Sequence, residues 1–356
     1  MFRGIWRRLA GDRRAAALTS VGIVAVVTLG TEGFFLATSQ QAAPAADTPK
    51  PPAVTASPTA PPLASPFTGE PVTRLNRVLA VKIGNTVPER PATGLSQADI
   101  VYLLPVEGGL SRIMAIYSTA FPPVVGPVRS ARQDDIQLLR QFGKPAFVWS
   151  GAQPELQPVV ENSRVVDLYA GIVDGYFRSA SRPPPYNLYG RVSQLLAESQ
   201  GASVARDIGF RFGAPPAGGK PTHSFAVSYP ATAFRFTWSA AEQGWRVSMD
   251  GEPATSSGPG GGRLTPPTVV IQDTDVTTSP YKEEGVRPPY AASVGSGRVT
   301  VLRDGMAFQG RWSRPSSGAG TTFTTDSGQP LTFSRGQVWV VFTDAASWTT
   351  AYPGMG

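Results

Sequence analysis

An apolar segment close to the N-terminus limits how this chain folds more than any other feature. Five arginines lie in residues 1–14, and the segment Ala15–Ala37 that follows carries a single charged residue, Glu32, near its far end. About 20 apolar residues span a bilayer, and preceding arginines keep that end in the cytoplasm. We therefore predict a cytoplasmic basic tail over residues 1–14, a single-pass transmembrane anchor over residues 15–37, and an extracytoplasmic location for the rest.

A cleaved signal peptide is the alternative interpretation of this segment. The small residues Ala37, Thr38 and Ser39 suit a cleavage site. The apolar stretch is longer than the apolar core of most signal peptides, which favours a retained anchor. With either interpretation the bulk of the protein lies outside the cytoplasm, in contact with the cell membrane through residues 15–37 if the anchor is retained.

A segment rich in proline, alanine, threonine and serine follows the anchor. Residues 40–66 contain no aromatic side chain. Such a composition buries too little apolar area to fold, and its prolines keep the backbone extended. We predict a disordered linker over residues 38–68 that holds the folded part away from the bilayer.

The remaining chain divides into two predicted domains. Residues 69–213 alternate strand and helix patterns, including a hairpin of Ile100–Leu104 with Ile113–Tyr117, which indicates an α/β (α+β) domain. The segment GAPPAGGKP (213–221) reads as a hinge. After it the helical periodicity stops, and residues 222–350 predict an all-β domain, a small sandwich or barrel.

The composition excludes several classes of site. The chain has no cysteine and a single histidine, His223. This excludes disulfides, thiol nucleophiles and zinc sites built from cysteine and histidine, and it disfavours a Ser-His-Asp triad. We expect no metal and no cofactor.

The charge distribution argues against a nucleic-acid partner. The net charge is +7, but the tail over residues 1–14 contributes +4 of it. Residues 67–356 hold 26 basic and 22 acidic side chains, with no run of lysine or arginine that would follow a phosphate backbone.

The densest group of polar residues surrounds two loops of the first predicted domain. Glu107 and Arg112 flank a tight Gly-Gly turn, and Arg129, Ser130 and Arg132 precede a predicted helix. Free backbone amides beside guanidinium groups suit a carboxylate or phosphate ligand. The alternative is purely structural: Ser130 or Asp134 caps the helix, and the arginines form ordinary ion pairs with Glu107, Asp134 or Asp135.

A third loop adds two candidates, Arg178 and Asn187. The triple proline in RPPPYNLY (182–189) fixes an extended path, from which Asn187 can present an amide to a ligand or to the backbone. A rigid loop that packs Tyr186 and Tyr189 against the core accounts for the same pattern.

These motifs together resemble the YerB-like family of extracytoplasmic proteins, which carry a domain of unknown function. The resemblance covers about residues 69–343 and rests on an ordered series of segments: GLSQADIVYLLPVEGGLSRIMAIY (94–117), VGPVRSARQDD (125–135), FVWSGAQPE (147–155), RPPPYNLY (182–189), TVVIQDTDV (268–276), GSGRVTVLRDGMAFQGRWSR (295–314) and GQPLTFSRGQVWVVF (328–342).

The resemblance implies an exported, membrane-tethered protein, and it also marks departures. Many relatives are lipoproteins, whereas this chain lacks the lipid-bearing cysteine. Relatives tend to carry an aspartate and three histidines at positions equivalent to Gly84, Thr86, Trp149 and Tyr186. The polar residues kept at matching places are Glu107, Arg112, Arg129, Ser130, Arg132, Arg178 and Asn187.

From these observations we expect a membrane-anchored cell-envelope protein that binds an anionic envelope ligand through those seven residues, without catalysis. One alternative is a cell-wall hydrolase or transferase that uses Glu107 as general acid or base, with Asp99, Asp134 or Asp135 as partner. Another is a scaffold whose β-domain docks a cell-wall or envelope protein partner; a large exposed apolar patch on residues 222–343 would favour it.

Overall fold

The computed structural model describes residues 62–282 and 285–344. The predicted tail, the predicted anchor and the linker as far as residue 61 lie outside the described residues, as do residues 345–350 of the second predicted domain. Among the helices of the described part, none is long and apolar enough to cross a membrane.

Short strands dominate the described chain, and its three α-helices are short. The α-helices are α1 (Gln133–Leu139), α2 (Gln157–Glu161) and α3 (Val192–Glu198), and 3-10 helices cover Val87–Glu89, Leu95–Gln97, Glu107–Gly109 and Arg140–Phe142. The strands are β1 (Leu79–Gly84), β2 (Ala92–Thr93), β3 (Ile100–Pro105), β4 (Ser111–Tyr117), β5 (Val124–Val125), β6 (Ala146–Trp149), β7 (Val166–Tyr169), β8 (Tyr176–Arg178), β9 (Leu188–Arg191), β10 (Lys220–Pro221), β11 (Ser224–Tyr229), β12 (Thr232–Ser239), β13 (Gly244–Met249), β14 (Glu252–Pro253), β15 (Thr255–Ser257), β16 (Gly262–Arg263), β17 (Thr268–Asp273), β18 (Val276–Thr278), β19 (Pro289–Ala291), β20 (Gly295–Arg303), β21 (Met306–Arg314), β22 (Thr322–Thr324) and β23 (Val338–Thr343).

Strands from both predicted domains join one mixed sheet of eleven strands. Its order is β10-β21-β20-β17-β23-β3-β4-β1-β6-β7, with β22 paired to β21. The last strand, β23, lies between β17 and β3 and is parallel to both, with Val338 opposite Ile100 in β3. The predicted α/β domain and the predicted all-β domain are therefore not separate layers, because the final strand of the second extends the sheet of the first.

Both faces of the central sheet are buried, which explains why its strands are continuous apolar runs rather than alternating ones. Along β3, Ile100, Tyr102 and Leu104 join the core on one face, where α1 packs. The intervening Val101 and Leu103 join a second core on the other face. The four-stranded sheet β11-β12-β13-β14 covers that second face.

Three predictions concern single segments of the chain: the hairpin, the hinge and the all-β region. The hairpin is confirmed as β3 and β4, whose register sets Ile100 opposite Ile116. The predicted hinge contains β10, which pairs with β21. No helix occurs in the described part of residues 222–344, in agreement with an all-β assignment.

The topology places the candidate site at one edge of the sheet. Strands β1 and β3 are both antiparallel to β4, and β6 is parallel to β1, so β1, β3 and β6 run in the same direction. Their carboxyl ends, Gly84, Pro105 and Trp149, therefore lie at a common edge. In sheets with parallel strands this edge is where ligands commonly bind.

Candidate functional site

Two loops and the start of β4 bring five of the predicted residues together at this edge. Glu107 follows β3, and Arg112 is the second residue of β4, where it lies opposite Gly84 of β1. The segment carrying Ser130 and Arg132 crosses the end of β1, where the Arg129 amide donates to the Lys82 carbonyl at 2.9 Å. It then contacts the loop after β6, because the Ser150 amide donates to the Arg129 carbonyl at 3.1 Å.

Glu107 holds two guanidinium groups. Its Oε1 accepts from Arg112 Nη2 at 3.1 Å and from Arg132 Nη2, and its Oε2 accepts from Arg132 Nε at 2.9 Å. Arg112 also donates through Nη1 to the Ser130 carbonyl at 2.9 Å. The structural alternative expects this pairing for the two arginines, and the pairing leaves one carboxylate shared between two cations.

The ionisation of these groups follows from this arrangement. Burial opposes ionisation of Glu107, but the hydrogen bonds from Arg132 and the charge of Arg112 outweigh it and lower the pKa of Glu107 to about 2. Burial and the nearby charge of Arg132 lower the pKa of Arg112 to about 10. A carboxylate with so low a pKa is neither a proton donor nor an effective base at neutral pH, which argues against the hydrolase interpretation.

Arg129 belongs to a neighbouring pair. Its Nη1 lies 2.7 Å from Oε1 of Glu89, a carboxylate that is almost fully buried. The other oxygen of Glu89 accepts from the Thr86 amide and hydroxyl, each at 2.7 Å. The Arg129 guanidinium also lies over the ring of Tyr186, 5.5 Å from its centroid. This contact fixes the plane of the guanidinium and ties the triple-proline loop to the site.

We call Arg112, Arg129 and Arg132, with Glu89 and Glu107, the arginine cluster. Ser130 lies at its margin, and its hydroxyl makes no hydrogen bond to another residue of the described chain. A β-carbon at Gly151 would come within 3.8 Å of that hydroxyl, so the loop after β6 passes close by. The cluster therefore combines paired guanidinium groups with a free hydroxyl at one edge of the sheet.

Gly84 makes room for the buried carboxylate of this cluster. A β-carbon at position 84 would lie 2.2 Å from both Cδ and Oε1 of Glu89. We predict that Gly84→Ala displaces Glu89 from Arg129 and lowers the free energy of unfolding by about 1–3 kcal/mol, as overpacking does. Urea denaturation in a double-mutant cycle checks this. In the Glu89→Ala background the same change is expected to cost less than about 0.5 kcal/mol. An equal cost in both backgrounds would show that the clash is not with Glu89.

A second buried ion pair lies beneath the cluster. Lys82 Nζ contacts Asp135 Oδ1 at 2.6 Å, and both side chains are fully buried. The other oxygen of Asp135 accepts from the Arg132 amide at 2.7 Å, so Asp135 caps the start of α1. Neither Ser130 nor Asp134, the residues that the structural alternative favoured as the cap, makes this bond.

The neighbouring Asp134 is buried without a comparable partner. Only 1% of its surface is exposed, and neither carboxylate oxygen accepts a hydrogen bond from the described residues. Burial and the charge of Asp135 raise the pKa of Asp134 to about 7, although Lys82 and Arg132 act in the opposite direction. Asp134 therefore destabilises the fold when it is ionised.

This shift predicts a pH-dependent stability. Because the folded-state pKa of Asp134 is above its unfolded value, the fold loses stability as pH rises from about 4 through 7. We expect Asp134→Asn to be more stable than the original chain by on the order of 2 kcal/mol at pH 8, with the difference vanishing near pH 4. Thermal unfolding at both pH values checks this prediction, and a difference that does not depend on pH would contradict it.

The two remaining candidates pair with each other. Arg178 Nη1 donates to Asn187 Oδ1 at 2.8 Å, and Asn187 Nδ2 donates to the Ser179 carbonyl at 3.2 Å. These bonds close the loop between β8 and β9. Asn187 is buried, and its amide is used within the loop. Two other residues of this loop contact the arginine cluster: the Tyr186 ring faces the Arg129 guanidinium, and Arg182 donates to the Glu89 carbonyl at 2.8 Å.

Sequence reasoning missed Glu89 and the pair of Lys82 with Asp135. Two signals were present. Thr86 and Glu89 have the spacing of a capping box, which predicts a carboxylate turned back on the chain. Lys82 interrupts the buried run of β1, and a lysine in such a position needs a buried carboxylate.

Comparison with known proteins gives the family. The model described as "Protein of unknown function (DUF3048) N-terminal domain" matches residues 67–205, and the model for the DUF3048 C-terminal domain matches residues 225–340. The shared eleven-stranded sheet takes strands from both matched regions.

Similarity to YerB of Bacillus subtilis, in sequence and in structure, agrees with this result. "Putative lipoprotein YerB" of Bacillus subtilis (strain 168) is 34% identical over 157 residues, or 42% of this chain. The alignment spans 47% of that protein, about half its length. The crystal structure of YerB from Bacillus subtilis has a TM-score of 0.69 at 23% identity and covers 82% of this chain and 99% of the YerB chain. The structural likeness shows the fold, and the family matches together show that this chain belongs to the DUF3048 family of YerB-like proteins, a family of unknown function.

Proposed function

We propose that this protein is an extracytoplasmic, membrane-anchored component of the cell envelope that binds an anionic ligand at the arginine cluster, without catalysis. Two points support the location: the apolar segment over residues 15–37 follows five arginines, and a relative is named as a lipoprotein. The ligand is an envelope polymer or peptide that carries carboxylate or phosphate groups.

The observation that carries the proposal is the unused donor capacity of Arg129. Only Nη1 contacts Glu89, and its Nε and Nη2 donate to no other residue among those described. The side chain is 18% exposed, and Tyr186 holds the guanidinium plane. A planar guanidinium with two adjacent free donors matches a carboxylate or phosphate in bidentate geometry.

The neighbouring groups favour the same ligand class. Glu107 is shared by Arg112 and Arg132, so an additional anion would relieve the repulsion between these two cations. The free hydroxyl of Ser130 supplies a further donor beside them. The scaffold alternative receives less support, because Val286 is the one large apolar side chain exposed by more than about a third in the described part of residues 222–344.

Cosedimentation with purified cell-wall sacculi tests the proposal. A chain that starts at Ala60 keeps every described element and removes the predicted anchor. We expect Arg129→Ala to weaken its binding at least ~10-fold, which is the loss expected for a charge-assisted bidentate contact. The matched control is Arg311→Ala, which removes one positive charge from an exposed strand position.

Different preparations of sacculi distinguish which anionic group of the wall is bound. Sacculi stripped of phosphate polymers distinguish phosphate from the carboxylates of the wall peptide. Release of soluble fragments during incubation would instead support the hydrolase alternative. Equal binding by the Arg129 and Arg311 variants would remove the arginine cluster from the proposal.

A further inference from the structure

A separate apolar pocket lies between the two family-matched regions. Its volume is about 250 Å³. Residues from both regions form its walls: Leu95 and Ile113 from the first, and Met249, Ala254 and Leu264 from the second. All five are buried to at least nine-tenths, so the walls belong to the core and are fixed by packing. Ligand pockets commonly form at such seams between domains.

Small side chains keep this pocket open. Ala254 lies between β14 and β15, and Ala92 lies in β2, which pairs with β15 through Ser256. Both alanines face the pocket where a larger apolar residue would fill it. At its mouth, Val87 is 69% exposed, which is unusual for an apolar side chain of this size.

Two of the three charged groups at the rim, Arg90 and Asp250, pair with each other. Arg90 donates to Asp250 Oδ2 at 2.6 Å and to the Asn85 carbonyl at 3.0 Å. Asp250 Oδ1 accepts from the Ala233 amide at 2.7 Å. The remaining charge at the rim is the exposed carboxylate of Glu252. A rim of this kind offers no free cation and repels an anion.

From this geometry we propose that the pocket binds a neutral aliphatic group, such as an alkyl chain or a branched hydrocarbon end. Its apolar walls make the transfer of such a group from water favourable. It is larger than the apolar cavity of about 150 Å³ that accommodates benzene. No residue of the arginine cluster lines it, so this inference is independent of the anion site.

Methyl NMR on the chain starting at Ala60 tests the proposal, with 1-octanol and octanoate as probes. We expect 1-octanol to produce saturable shifts of the Ile113 and Met249 methyl signals. The methyl signals of Ile172 and Met306, which do not line the pocket, serve as the internal reference. Octanoate is expected to bind at least ~10-fold more weakly, because its carboxylate meets Glu252 rather than a free cation.

A pocket-filling variant provides the second readout. Ala254→Leu is expected to weaken octanol binding at least ~10-fold by occupying the space, whereas Ala240→Leu, at an exposed turn, leaves it unchanged. If Ala254→Leu fails to fold, the methyl shifts that 1-octanol causes in the original chain still decide whether the pocket binds it. Octanol shifts that are absent, that are equal at Ile172, or that persist in folded Ala254→Leu would overturn the proposal.

Discussion

Neither family-matched half of this chain is expected to fold when it is separated from the other. A chain of residues 62–213 lacks β23, so β3 loses its parallel neighbour at the centre of the sheet. One core cluster combines Ile100 and Tyr102 of the first half with Val338 and Val340 of the second. Since such a core supplies most of the folding free energy, exposing it removes more stability than a domain has in reserve.

Circular dichroism and NMR of the two halves check this prediction. We expect no cooperative thermal transition and poorly dispersed amide signals for residues 62–213 and for residues 214–344. The matched control is the whole chain, folded first and then cleaved between the exposed residues Ala217 and Gly218. It is expected to stay folded because the two halves remain paired. Cooperative unfolding of either half alone would show that the shared sheet is dispensable.

Replacing Glu107 by alanine is expected to lower the free energy of unfolding by about 3 kcal/mol at pH 7, the scale reported for breaking a buried ion pair. The reason is that Arg132 and Arg112 are 2% and 10% exposed and would keep their charges without this carboxylate. Glu155→Ala, at an exposed position, is the control and is expected to change stability by less than about 0.5 kcal/mol.

The pH dependence of this effect has a defined sign. The folded-state pKa of Glu107 is about 2, below its unfolded value, so its contribution is complete above about pH 4.5 and is lost as pH falls toward 2. Urea denaturation at pH 7 and pH 2.5 is the measurement. The difference between the original chain and Glu107→Ala is expected to shrink at the lower pH, and a difference that is the same at both would contradict the ion-pair account.

Local patterns predicted the elements of this fold better than their assembly. The runs at Ile100 and Ile113 and the turn between them are contained in one short stretch of sequence, so their pairing followed from periodicity. The place of β23 beside β3 could not be predicted in this way, because the two strands are more than 200 residues apart in sequence and no local signal fixes their register.

In the candidate site too, contacts between segments distant in sequence could not be predicted from local patterns. Glu107 and Arg112 flank one tight turn, and the structural alternative already included their ion pair, which the structure contains. The pairing of Arg129 with Glu89 depends on how two loops meet beyond the end of β1, and residue type alone does not specify that contact. Nothing in the sequence separated Arg178 and Asn187 from the polar residues of the arginine cluster. In the structure, Arg178 donates to Asn187, and this hydrogen bond stabilises the loop between β8 and β9.

The contacts that stabilise the arginine cluster also hold the Arg129 guanidinium in one orientation. Burial of Glu89 fixes one edge of the Arg129 guanidinium, and Tyr186 supports its plane. Such preorganisation lowers the entropic cost of capturing a ligand, because few rotamers have to be restricted on binding. The remaining donors of Arg129 are then available at the edge of the sheet.

The most direct test of this account is the NMR signal of the guanidinium Nε–Hε groups during titration with soluble fragments released from cell-wall sacculi. We predict saturable shifts for Arg112 and Arg129, with Arg298 and Arg311, both exposed, unchanged. Shifts that are absent at Arg129, or that are equal at all four arginines and disappear in moderate salt, would contradict a specific anion site at the arginine cluster.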